Sequence, residues 1–138
     1  MTPFHLAFPV RDLETTRWFY GEVLGCIEGR SAETWVDFNL FGHQISAHVH
    51  PSMIESLTTN AVDGAAVPIR HFGCVLEMNQ WRRLRDRLKE RKVSFLIEPR
   101  IRFAGLKGEQ ATFFVLDPSN NALEFKGFAQ HSQLFEKD

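Results

Sequence analysis

The sequence predicts an α+β domain in which a β-α-β-β-β module is used twice. Three observations carry that prediction. The chain has 138 residues, 43% hydrophobic and 24% charged, enough to bury one core without disulfide or metal staples. A strand-then-helix plan that begins at His5 begins again 66 residues later at His71. Each predicted helix is trailed by strand-length apolar segments bounded by turn residues.

In the first half, FHLAFPV alternates like a strand, and Asp12 is placed to cap a helix through LETTRWFYGEVLG that Gly25 stops. Residues 34–41 and 44–50 then read as strands around the turn Phe41-Gly42-His43. In the second half, HFGCVLEM repeats the strand and Asn79 stands where Asp12 stood. Trp81, Leu84 and Leu88 recur at helical spacing through QWRRLRDRLKERK. Strands follow at 93–97, 110–116 and 122–128, the last two joined by the turn Asp117-Pro118-Ser119-Asn120-Asn121. Residues 51–68 lack clean periodicity and read as a linker with one short helical turn. The chain is therefore one domain: module 1 over about 1–50, the linker, module 2 over about 69–129, and a tail from 130 to 138. A single module would have too small a core and a bare sheet edge, so two modules side by side are the stable unit.

Composition excludes several classes. No apolar run approaches the roughly 18 residues of a membrane-spanning helix. The first ten residues lack a basic segment and do not read as a secretory signal, so a cytoplasmic location is expected. Cys26 and Cys74, far apart and outside any C-x-x-C, are expected to be buried and reduced. A net charge of -1 argues against a nucleic-acid binder. The charge is uneven, however: residues 1–69 hold three Lys/Arg against eight Asp/Glu, and residues 70–138 hold thirteen against nine. Much of the basic excess lies on the second helix, where a solvated outer face is expected.

Six histidines stand at 5, 43, 48, 50, 71 and 131. His5 and His71 open the first strand of each repeat. Glu124 lies in the last strand, sharing a face with Ala122 and Lys126; a carboxylate buried there alone would lose its hydration and needs a cation. His48 lies in the matching strand of the first half, six residues after Gly42, close to the place Glu124 takes after its own turn. His5, His48, His71 and Glu124 would converge at a pseudo-two-fold axis as a three-imidazole, one-carboxylate set suited to divalent Zn, Fe, Ni or Mn. The alternative stays open at this point: strand-edge histidines with satisfied hydrogen bonds, and Glu124 paired with Arg102 or Lys126.

The duplicated plan, together with H-L-A-F-P-V-x-D, W-F-Y-G-E-V-L-G and D-P-S-N-N-A-L-E-F-K, resembles the vicinal oxygen chelate superfamily, which includes glyoxalase I, extradiol dioxygenases, and fosfomycin- and bleomycin-resistance proteins. The resemblance covers residues 3 to 129. It implies a curved eight-stranded sheet cupping a divalent metal held by His5, His71 and Glu124, with His48 as a fourth ligand or an acid/base group. It also implies a small-molecule substrate chelated through two neighbouring oxygens, catechol-like or hydroxy-carbonyl, and a homodimer. A dioxygenase-like enzyme, a glyoxalase-like isomerase or lyase, and a metal-free ligand-sequestering protein of the bleomycin-resistance type all fit the resemblance.

The departures are informative. In the extradiol pattern Tyr-x-x-Asp-Pro-x-Gly-x-x-x-Glu, this chain has Phe114, Asp117, Pro118, Asn120 and Glu124, so the tyrosine hydroxyl is missing. Asn120 for Gly is mild, because Asn tolerates a left-handed turn. The segment 98–110 has no counterpart in the first half. Arg102 and Glu109 in it, with Lys126 on the Glu124 face, are the expected substrate-binding residues, Arg gripping an anionic group in two-pronged fashion.

Overall fold

A computed structural model describes residues 2–62 and 64–137. Among the described residues ten strands lie in sheets, with few helices and no closed barrel. The first half runs β1 (His5–Val10), α1 (Leu13–Arg17), β2 (Ile27–Ser31), β3 (Trp35–Leu40) and β4 (His43–Val49). The second runs β7 (Phe72–Glu77), α2 (Met78–Glu90), β8 (Ile97–Arg102), β9 (Gln110–Leu116) and β10 (Ala122–Phe128). Each half makes a four-stranded sheet, ordered β1-β4-β3-β2 and β7-β10-β9-β8. The expected single eight-stranded sheet does not form within one chain, because β1 and β7 are each hydrogen-bonded on one side only.

Four expectations are corrected. Residues 51–68 are more than a linker: after a 3-10 turn at Pro51–Met53, β5 (Thr59–Val62) and β6 (Ala65–Pro68) make a hairpin. The strand expected at 93–97 begins instead at Ile97, so the first five residues of the 98–110 segment belong to β8. Strand β2 had no apolar signal, since all five of its residues are exposed at a sheet edge. The first helix is α-helical only to Arg17 and continues as a π-helix over Trp18–Val23, which ends where Leu24 N donates to the Phe19 carbonyl.

Helix starts follow from their caps. Asp12 accepts the Thr15 amide at 2.7 Å, and this bond holds its carboxyl below the usual range. The second helix is capped by Glu77, which accepts from the amides of Asn79 and Gln80; Asn79 itself lies inside the helix.

One core serves both halves. Leu6, Phe8 and Val10 of β1 share a face with Ile45, Ala47 and Val49 of β4. Phe72, Cys74 and Leu76 of β7 share one with Leu123, Phe125 and Gly127 of β10. These faces and the helices pour into one apolar cluster, with the Phe8 and Phe72 rings 5.0 Å apart and those of Phe41 and Phe125 6.1 Å apart. Fully buried Trp81 donates its indole N–H to the Phe125 carbonyl at 2.8 Å. Because both apolar faces point into this core, each sheet turns its opposite face outward.

Polar clasps tie the halves. Arg87 of the basic helix donates to the carbonyls of Val23 and Glu22, each at 2.9 Å, so at least one cation of that face is structural. In the Asp117–Asn121 turn, Asp117 accepts from the Ser119 and Asn121 amides, the Asn121 side chain and the Tyr20 hydroxyl. Ser119 Oγ accepts the Arg11 amide, and Asn121 Nδ2 reaches the Pro9 carbonyl. Asn120 sits at φ 64°, the left-handed conformation its residue type suggested.

Candidate functional site

His71 stands one residue before β7, and its ring is fixed from behind. Nδ1 lies 2.7 Å from the Pro68 carbonyl. A carbonyl only accepts, so Nδ1 carries a proton and Nε2 is left to face Glu124. Nε2 is 3.2 Å from Glu124 Oε1. The other carboxylate oxygen, Oε2, accepts the Thr112 hydroxyl at 2.6 Å from the neighbouring strand. Phe114, in register with Glu124, sets its ring edge-on to His71 at 5.0 Å. Where the extradiol pattern has a tyrosine hydroxyl, this chain therefore has an apolar ring that orients the imidazole.

A lone pair on nitrogen facing a carboxylate oxygen requires a cation between them, either a proton or a metal ion. The 3.2 Å gap matches the separation of two donors each about 2.0–2.2 Å from a common divalent ion. The outer partners, a carbonyl on His71 and a hydroxyl on Glu124, are the kind that orient metal ligands. This half-site fits a divalent metal. The side chains are half-buried, with 28% and 13% exposure for His71 and Glu124, so the pair is open to solvent on one side.

The structure does not bring the other two predicted ligands to this pair. Among the described residues no group of three or more His, Cys, Asp or Glu is placed to hold a metal. His5 lies on the outward face of the first sheet with Ala7 and Pro9, paired across to Gln44, Ser46 and His48. His48 is exposed and approaches Trp35, its partner on β3, with ring centroids 6.5 Å apart. His5 and His48 thus belong to one outward face and Glu124 to another.

The second sheet's outward face also carries Lys126 on β10 and, by register with Thr112 and Gln110, Arg100 and Arg102 on β8. Arg102 and Lys126 are exposed; Arg102 lies 5.3 Å from the Phe103 ring. Glu109 points back into its own loop, accepting the Gly105 amide at 3.1 Å.

Sequence reasoning missed Thr112 and the Pro68 carbonyl, for which only strand alternation offered a signal. It also missed Asp37, nine-tenths buried on the first sheet's outward face, where it accepts from Ser46 Oγ at 2.5 Å and Gln44 Nε2 at 3.2 Å. A cleft of about 550 Å³ adjoins His71, walled by residues 6–9 of β1, the 53–58 segment and residues 119–122. Among the described residues no helix is long and apolar enough to cross a membrane. Cys26 and Cys74 are free thiols.

The glyoxalase/bleomycin resistance protein/dioxygenase superfamily profile matches residues 2–125. The chain is 32% identical to a glyoxalase/bleomycin resistance protein/dioxygenase from Alicyclobacillus acidocaldarius of known structure, over 97% of this chain and 96% of that one, with a TM-score of 0.76. It shares its fold with the fosfomycin resistance protein FosX from Listeria monocytogenes, at 20% identity, 92% and 93% coverage and a TM-score of 0.66. It also shares it with a lactoylglutathione lyase from Agrobacterium tumefaciens, at 13% identity, 99% and 97% coverage and a TM-score of 0.67. No curated protein matches the sequence. The chain belongs to the glyoxalase/bleomycin resistance protein/dioxygenase superfamily.

Proposed function

We propose that the chain, as a member of that superfamily, is a metal-dependent enzyme acting on a small molecule with two neighbouring oxygens, catechol-like or hydroxy-carbonyl. The observation that carries this reading is the His71–Glu124 pair: two ligand-type donors 3.2 Å apart, each held from behind. The bound metal, Fe(II), Zn, Ni or Mn, would act as a Lewis acid toward the substrate oxygens.

The third donor to that metal would be His5 of a second copy. Three features support a homodimer. The outward face of the first sheet carries Asp37, and that of the second carries Lys126 and Arg102. The two halves have opposite net charge, -5 and +4. Each sheet has its half's first strand, β1 or β7, at an unpaired edge. Joining the first sheet of one copy to the second sheet of the other makes the eight-stranded cup, with His5 facing His71 and Glu124. Lys126 and Arg102 then meet an anionic part of the substrate, Glu109 shapes the loop beside them, and His48 stands at the rim to accept or donate a proton.

The test is metal binding by the purified protein. Co(II) titration should give visible absorption bands, and His71→Ala and Glu124→Ala should each abolish them. If the wild type binds no metal on addition, the reading falls and a ligand-sequestering role replaces it. Given metal, oxygen uptake with a catechol under Fe(II) separates an oxygenase from an isomerase, which runs anaerobically.

A further inference from the structure

The apolar faces determine how the two halves superpose. Leu6, Phe8 and Val10 face the core from β1 as Phe72, Cys74 and Leu76 do from β7, so residues match at an offset of 66: His5 on His71 and Ala7 on Gly73. Ala7 pairs with Ser46, and Gly73 pairs with Glu124. Ser46 in turn pairs with Asp37, as Glu124 pairs with Phe114. The place of Glu124 in the first half is therefore held by Ser46, not His48, which matches Lys126. The carboxylate has moved one strand over, to Asp37.

Asp37 is an unusual residue to bury. It lies on the outward face, where the apolar core does not need it, and its oxygens accept from two neutral donors, Ser46 and Gln44. Burying a carboxylate on neutral partners costs stability. What the arrangement provides is direction: by taking the Ser46 proton, Asp37 leaves Ser46 Oγ able only to accept.

We infer that Ser46, oriented by Asp37, is a specificity residue of the dimeric metal site, selecting a substrate whose metal-facing oxygen carries a proton, a hydroxyl rather than a carboxylate or carbonyl oxygen. This rests on the metal-site reading above. Ser46 makes the contact; Asp37 is a positioning residue that sets the hydroxyl's sense. A ligand hydroxyl donates to Ser46 Oγ, whereas a ligand oxygen without a proton meets a lone pair and is repelled.

The probes are glycolate, with a hydroxyl beside a carboxylate, and oxalate, with two carboxylates. Their binding to the Co(II)-loaded protein is read from the visible absorption bands. Relative to Co(II) free in solution, the wild type should shift the ratio of the two affinities toward glycolate. Asp37→Ala, which removes the acceptor and frees the Ser46 hydroxyl to donate, and Ser46→Ala should each lower that preference by about tenfold. Thermal unfolding confirms that each variant is folded; should Asp37→Ala fail to fold, Ser46→Ala decides alone. A preference unmoved by Ser46→Ala overturns the inference and leaves the metal site standing. A wild type that binds no Co(II) overturns both.

Discussion

Gly73 and Glu124 are cross-strand partners packed so closely that a Cβ on Gly73 would overlap the carbonyl oxygen of Glu124. The bare backbone at 73 is what lets β10 lie against β7 at the level where the Glu124 carboxylate meets His71. Gly73→Ala is expected to push the strands apart, at a cost of about 1–3 kcal/mol or more. It should also widen the His71–Glu124 gap. Thermal unfolding and Co(II) titration check the two effects separately; unchanged values in both would show that the close approach is not required.

Tyr20 is the only tyrosine in the chain, so absorbance near the tyrosinate band reports on it alone. Its ring is fully buried and its hydroxyl donates to Asp117 at 2.8 Å. Burial, and then the Asp117 charge, push its phenol well above the usual 10. The folded state therefore holds the proton more tightly than the unfolded chain. Stability from this group is complete below pH about 10 and drains away as pH rises beyond it. Tyrosinate absorbance should appear only as the protein unfolds in alkali; a titration centred near 10 with the fold intact would contradict the buried hydrogen bond. Tyr20→Phe should cost about 1–3 kcal/mol, because the buried Asp117 loses a donor.

Burial pushes the Cys26 thiol up to about 12 and the Cys74 thiol up to about 11, so neither forms appreciable thiolate near neutrality. Iodoacetamide at pH 8 should leave both unmodified in the folded protein and label both in denaturant, as counted by mass. Rapid labelling of the native chain would show that the thiols are more open than the structure places them.

The strands β1, β3, β4, β9 and β10 were legible because their apolar residues alternate or recur with the period their neighbours demand. Strand β2 was not, since all five residues are exposed and nothing in them separates strand from loop. The β5–β6 hairpin was hidden for the same reason: β5 is exposed throughout. His71 and Glu124 drew notice by their places at the start of the first strand and in the last strand of the second half, and the structure sets them 3.2 Å apart. The match of His48 to Glu124 did not survive, because counting from the turn is off by two residues, a step that keeps the face but changes the register partner.

Period and composition by themselves determined that this chain folds as an α+β protein, and which side chains lie on the polar face of each sheet. Alternation encodes those faces locally, one residue after another. Only the tertiary structure decided that the two apolar faces share one core and turn the polar faces outward, so that His5 and the His71–Glu124 pair stand apart in one chain. Which sheet packs against which depends on the shape and burial of whole faces, and no local pattern records it.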